Sequence, residues 1–232
     1  MSFDIAPFDG IRVLTFDVVG TLIDFETGIL DCLRPVARVG DGELLESFAR
    51  GEAIQQRLTP ELPFTQMLAP IQQRMADELG FSSGDVGLRE SIPRWPAFPD
   101  APPALRSLGR RFRLVALTNA DNWAQEQMAV TLGSPFDDAV TAEDVGVNKP
   151  DPQMFAYCLG RQSTHGYTRA ECVHVAQSQY HDIRVSKRLG YRTCWIERRH
   201  GLPGFGATPR PHELTTPDHH FTSLEELARE AA

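Results

Sequence analysis

The sequence predicts an α/β fold: a Rossmann-like parallel sheet core with helices on both faces and an inserted helical cap. Three observations predict it. After residue 96, short β-rich apolar runs alternate with helical periods, the pattern of repeated strand–helix units. The first apolar run, at 11–17, is not followed by a second strand within about 30 residues, as an uninterrupted βαβ repeat would require. Residues 26–94 read instead as helical material. The core is therefore assigned to 1–24 and 96–232, and the cap to 25–95.

Each element has its own signal. Within the helical stretch, Ile29, Leu33 and Val36, then Leu44, Leu45 and Phe48, then Ile71, Met75 and Leu79 recur at helical spacing. Pro35 and Pro70 interrupt that pattern, because an interior proline kinks or starts a helix; a helix is expected to begin near Pro70 after a bent connection. The run Ile92-Pro93-Arg94-Trp95-Pro96-Ala97-Phe98-Pro99 closes the stretch. There follow a helix near 101–110, a strand Phe112–Thr118, a helix Asn122–Leu132 and a short strand near 138–141. A helix from Pro152, a strand Cys172–Ala176, a helix His181–Leu189 and a strand Arg192–Ile196 complete the alternation. Residues 200–217, rich in Gly and Pro, have no period and read as a surface loop or lid edge; Ser223–Leu227 reads as a short capped helix.

Composition narrows the function classes. The chain has 232 residues, 41% hydrophobic and 23% charged, which suffices for a sizeable core without disulfide or metal staples. A net charge of −8 argues against nucleic acid or an anionic membrane as partner. Cys32, Cys158, Cys172 and Cys194 are far apart, without zinc spacing, and read as buried free thiols. With no signal-peptide pattern and no apolar stretch of about 18 residues, a cytoplasmic location and no membrane partner are expected.

The strand ends carry the chemistry. Asp17 ends the first strand and is followed by a Gly20-Thr21 turn. An unpaired buried carboxylate would cost several kcal/mol, whereas one at a strand end in a parallel sheet is placed to act on a ligand. Thr118 with Asn119, then Lys149 before Pro150, then Gln177, Ser178, His181 and Asp182 stand at the other strand ends. A parallel sheet turns all of them toward one edge, with the helical cap placed to close over it.

Phe16-Asp17-Val18-Val19-Gly20-Thr21-Leu22, Leu117-Thr118-Asn119, Val147-Asn148-Lys149-Pro150-Asp151-Pro152 and His174-Val175-Ala176-Gln177-Ser178-Gln179-Tyr180-His181-Asp182 resemble the four motifs of the haloacid dehalogenase-like hydrolase superfamily. The resemblance covers nearly the whole chain and places the helical stretch at that superfamily's type 1 cap. Most such members are magnesium-dependent phosphatases with an Asp-x-Asp pair, whose second Asp protonates the leaving group. General acid catalysis of that kind contributes ~10²–10⁴-fold. Here the second position is Val19, which donates no proton, and a departing halide needs none. Where those phosphatases show a magnesium-binding Asp, this chain has Gln177, a poor ligand for a hard cation.

The resemblance is therefore closest to the metal-free L-2-haloacid dehalogenases. It implies Asp17 as nucleophile, Lys149 holding it ionised, Thr21 orienting it, and Asp182 or His181 activating water. Val18, Val19, Thr118, Asn119 and Ser178 would face a small carboxylate substrate, with Arg50 the first of three candidates, beside Arg38 and Arg57, for a halide-binding cap arginine. No cofactor is expected. Under the phosphatase alternative Asp17 and Asp182 would hold Mg²⁺ weakly. A catalytically degenerate binding protein is the remaining reading, and the resemblance leaves a homodimer open. The chain departs from the dehalogenase pattern at Phe155, where a tyrosine is usual, and in the fourth motif, where Ala176, Ser178 and His181-Asp182 stand in place of Ser, Asn and Asp.

Overall fold

The computed structural model describes residues 8–82 and 87–231. Residues 1–7 and 232, assigned by sequence to the core, and 83–86, assigned to the cap, lie outside the described residues. The chain runs through β1 (Val13–Phe16), α1 (Phe25–Leu33), α2 (Asp41–Leu58), α3 (Phe64–Leu79), α4 (Leu88–Ser91) and α5 (Ala101–Leu108). It continues through β2 (Arg113–Thr118), α6 (Asn122–Thr131), β3 (Asp138–Thr141), α7 (Ala142–Val145) and α8 (Pro152–Ser163). It ends with β4 (Cys172–Ala176), α9 (Arg184–Arg188), β5 (Arg192–Ile196), β6 (His219–Phe221) and α10 (Leu224–Glu230).

All paired strands are parallel, in the order β3-β2-β1-β4-β5-β6. Alternation along the strands divides the core between two faces. Leu14, Phe16, Leu114, Ala116, Val173 and Val175 pack with Leu105, Leu108, Leu224 and Leu227 of α5 and α10. Val13, Val115, Leu117, Val140 and Cys172 pack with Met154, Phe155 and Cys158 of α8. Several helices start where a short polar side chain caps them: Asp24, Asp121, Asp151 and Ser223 each accept a backbone N–H of the first turn. The four cysteines are free and buried, and no described helix is long and apolar enough to cross a membrane.

β1 lies at the centre of the sheet, with β2 and β4 on either side, and Phe16 is level with Ala116 and Val175. The strand order reverses direction here, so the residues just past Phe16 open onto the crevice where ligands bind in such sheets. Over that edge, helices α1–α4 are tied to the strand ends. The Phe64 N–H donates to the Asn119 carbonyl at 2.8 Å, Asn148 donates to the carbonyls of Pro60 and Leu62, and Arg89 pairs with Asp121 at 3.0 Å.

The structure departs from the sequence expectations in four elements. Pro70 does not start a helix; it lies inside α3, which begins at Phe64 after Pro63. The carbonyl its missing N–H would meet belongs to Gln66, on the exposed side of the helix. Pro35 falls just beyond α1, in the turn at 34–36, so Val36 is not part of that helix. The helix expected from His181 begins as a π turn at Gln179–Ile183 before α9. β6 was not expected, since three residues emerging from a Gly/Pro-rich loop carry no strand period.

Candidate active site

Asp17 follows β1 and is held by three contacts. Its backbone N–H donates to the Val175 carbonyl at 3.0 Å. Thr21 Oγ1 donates to its Oδ2 at 2.6 Å, and Lys149 Nζ donates to its Oδ1 at 2.8 Å. Gly20 makes the Thr21 contact accessible: its φ of +88° reverses the chain, in a region where only glycine is unstrained. Thr21 Oγ1 also accepts the Gln177 N–H at 2.8 Å, which stitches the first motif to the fourth.

Lys149 is buried, at 1% exposure, and its ammonium is shared. Nζ donates to Asp17 and to the Leu117 carbonyl at 2.8 Å, and lies 2.7 Å from Asp182 Oδ1. Asn119 fixes the lysine backbone, accepting the Lys149 N–H at 2.7 Å and donating to its carbonyl at 3.0 Å. Behind Asp182, His174 Nε2 reaches the same Oδ1 at 2.9 Å while its Nδ1 lies 2.9 Å from Thr15 Oγ1. With Asp182 ionised, the Nε2–H of His174 is the donor in that contact.

One ammonium thus serves two carboxylates, and they share it unequally. Burial raises both. For Asp182 the Lys149 charge and the His174 contact outweigh burial and hold the group down at about 2. For Asp17 burial prevails, aided by the Asp182 charge and opposed by Lys149 and Thr21, so its pKa lies above the ordinary aspartate value. Burial acts to lower Lys149, but its two carboxylate partners raise it on balance.

These groups line a cavity of about 40 Å³ with Val19, Phe25, Glu52, Phe64, Asn119, Gln177 and Ser178 among its other walls. A single water needs about 10–15 Å³ on the same measure, so the space suits a ligand of a few heavy atoms. His181 is on the wall with both ring nitrogens engaged: Nδ1 lies 3.2 Å from Ser178 Oγ and Nε2 3.0 Å from Gln56 Nε2. Burial pushes its pKa down to about 4. Asp182 Oδ2 is buried with no hydrogen-bond partner. Among the described residues neither Val18 nor Val19 donates its N–H to a backbone carbonyl, and Val18 is fully buried away from the cavity wall.

Two sequence expectations need correction. Arg50 does not reach the cavity: it pairs with Glu78 at 2.5 Å on the outer side of α2, and its side chain is 51% exposed. No arginine lines the cavity, Arg38 and Arg57 being exposed as well. Thr118 is fully buried and turned into its own loop, where Oγ1 accepts the Ala120 N–H at 3.2 Å. Sequence reading also missed His174, Glu52, Gln56 and Thr208. His174 had a signal, a polar residue in the middle of an apolar strand. Thr208 belongs to the loop 200–217, which is exposed at 201–204 but reaches the cavity here, as a lid edge would.

A magnesium ion fits this donor set poorly. Beside Asp17 and Asp182 the wall offers Gln177, a neutral amide and a poor ligand for a hard cation. Among the described residues no three His, Cys, Asp or Glu side chains converge as metal ligands.

A family model described as haloacid dehalogenase-like hydrolase matches residues 11–190. The chain is 24% identical over 221 residues to (S)-2-haloacid dehalogenase 1 of Pseudomonas sp. (strain CBS-3), covering 90% of this chain and 94% of that protein. It is 29% identical over 108 residues to a phosphoserine phosphatase of Thermus thermophilus, covering 45% and 42% of the two. Its fold matches the solved L-2-haloacid dehalogenase of Xanthobacter autotrophicus with chloropropionic acid covalently bound: TM-score 0.70, 19% identity, and coverage of 94% and 97%.

Proposed function

The chain belongs to the haloacid dehalogenase-like hydrolases, and on that premise we propose that it displaces halide from a short 2-haloacid, without a metal, through an ester on Asp17. One observation carries the proposal: beside Asp17 and Asp182 the cavity wall offers Gln177, a neutral amide and a poor ligand for a hard cation. A nucleophilic carboxylate beside a fixed, buried ammonium is poised to attack carbon. Val19 on the wall supports the same reading, since an apolar side chain suits a leaving group that departs without a proton.

In the first step an Asp17 carboxylate oxygen attacks carbon 2 from the side opposite the halide. The oxygen–carbon bond forms as the carbon–halogen pair leaves with the halide, inverting the centre. Thr21 and Lys149 hold the attacking group in one orientation, and such positioning can supply ~7–11 kcal/mol. The N–H of Val19, which is on the cavity wall two residues beyond the nucleophile, would receive the substrate carboxylate. Water then attacks the ester carbonyl carbon, releasing the 2-hydroxyacid. Asp182 Oδ2 is the acceptor left open to hold that water, whereas His181 is already bound at both nitrogens.

The test is halide release from chloro-, bromo- and fluoroacetate and from each enantiomer of 2-chloropropionate, with EDTA present. A p-nitrophenyl phosphate assay with magnesium runs beside it. Release that survives EDTA and disappears in Asp17→Ala supports the reading; magnesium-dependent phosphate release with no halide overturns it.

A further inference from the structure

Displacement in line places the leaving group on the far side of carbon from the nucleophile. Asp17 enters the cavity from the sheet edge, so the leaving group points at the wall built by α1, α2 and α3. That wall consists of Phe25, Phe64 and Glu52. Two of these are aromatic rings, and Glu52 is the polar one. Glu52 is 4% exposed. Its Oε1 accepts from Gln56 Nε2 at 2.8 Å and lies 3.9 Å from His181 Nε2. Among the described residues no lysine or arginine pairs with it.

Resting on the dehalogenase reading of the site, we propose that Glu52 is the hydrogen-bond donor to the departing halide, a carboxylic acid standing where a cation would otherwise hold it. The site then discriminates between halogens. Fluoride is the strongest hydrogen-bond acceptor among the halides and gains most from a neutral O–H donor; bromide gains least. The step balances without proton transfer: carboxylate and carbon–fluorine bond give ester and fluoride, with the Glu52 O–H bridging to fluoride as it forms.

The donor exists only while Glu52 is protonated. Burial alone raises its pKa to about 8. The charged or titratable groups around it are His181, from the π turn, held neutral by its own burial, and Asp17, Lys149 and Asp182 across the cavity. On its own helix Arg50 faces away, engaged by Glu78 of α3. Donation is therefore complete below about pH 7 and is lost as pH rises through about 8.

The experiment compares kcat/KM for fluoroacetate and bromoacetate from pH 6 to 9.5 in the wild-type chain, Glu52→Gln and Glu52→Leu. Circular dichroism checks each fold. Glu52→Leu is expected to lower fluoride release by about 10²-fold and bromide release by less than about fivefold. Glu52→Gln, which keeps an N–H donor of the same shape, is expected to abolish the alkaline fall in fluoride release. Equal losses for both halogens in Glu52→Leu, or an unchanged alkaline limb in Glu52→Gln, would overturn the role of Glu52. If no substrate releases halide, the parent reading fails instead. Fluoride-19 line broadening of sodium fluoride by the folded protein then decides for Glu52: broadening that persists in Glu52→Leu removes it as an anion donor, and broadening lost in that variant and above pH 8.5 retains it.

Discussion

The two walls of the cavity are built on opposite principles. On the sheet side every ionisable group is cross-linked: Asp17 and Asp182 to Lys149, Asp182 to His174, and His174 to Thr15. On the helical side stand two phenylalanines and one carboxyl group with no charged partner. The sheet side thus spends its polar groups on fixing one geometry, which suits a nucleophile. The helical side leaves its one carboxyl group without a charged partner, which suits recognition of whatever enters.

Removing the hub of the sheet wall should have the largest effect. Lys149→Met leaves two buried carboxylates without a cation, and breaking a buried pair in this way costs about 3–5 kcal/mol. We expect a melting temperature lower by roughly 6–20 °C at pH 7, and loss of halide release, read by calorimetry and the release assay. Adding Asp17→Asn to that variant removes one of the stranded charges and should recover part of the stability but none of the activity. An unchanged melting temperature in the single variant would mean the sheet wall is not charge-linked as described.

Glu52 should respond in the opposite sense, because it is a burden when ionised. Its pKa in the fold, about 8 against an ordinary 4.5, lies above its unfolded value. Its stabilising contribution is therefore complete below about pH 4.5 and falls away as pH rises to about 8. Glu52→Gln has no such dependence. We expect the variant to match the wild type near pH 4.5 and to exceed it at pH 8.5 by a few kcal/mol at most. Thermal unfolding at the two pH values reads this directly, and equal differences at both would show that Glu52 is not held neutral.

The same contrast explains what could be read from the chain alone. Asp17, Lys149 and Asp182 were legible because a charged residue at a strand end has few structural uses, and parallel register carries all such ends to one edge. Val19 was legible as the absence of a proton donor. Glu52 was not, because in Arg50-Gly51-Glu52-Ala53-Ile54-Gln55-Gln56 a glutamate reads as part of a solvated helix face. Only the docking of α2 against the π turn, where Gln56 meets His181, turns that face inward. Pro70 was misread because local propensity favours a helix start, yet the packing of Met67, Leu68, Ile71 and Met75 carries α3 through it.

A smaller effect is expected from the rear of the sheet wall. His174→Ala removes the partner of Asp182 Oδ1 and of Thr15, with a cost of about 1–3 kcal/mol for the polar groups left unmatched. Asp182 owes part of its low pKa, about 2, to this histidine. Its contribution to stability is present above the unfolded value and lost as pH falls toward the folded one. Without His174 the folded value rises, so the contribution is smaller and its loss is complete at a higher pH, moving the acid-unfolding midpoint upward; an unmoved midpoint would confine Asp182 to its lysine.

The smallest effect belongs to Arg50, which sequence reading offered, beside Arg38 and Arg57, as a candidate for binding halide. It stands two residues from Glu52, and two helical positions are about 200° apart on the helix circumference. If one of them faces the cavity, the other faces away, and the Arg50–Glu78 pair is indeed on the outer side, half exposed. Exposed pairs contribute about 0.2–1 kcal/mol. Arg50→Ala should therefore leave kcat and KM for any haloacid unchanged and shift stability by less than about 1 kcal/mol. A raised KM in Arg50→Ala would require α2 to rotate by half a turn when substrate binds, and in that event Glu52 could not hold the halide: the two residues cannot both serve one ligand from a single helix, so this variant tests the placement of the helical wall as a whole.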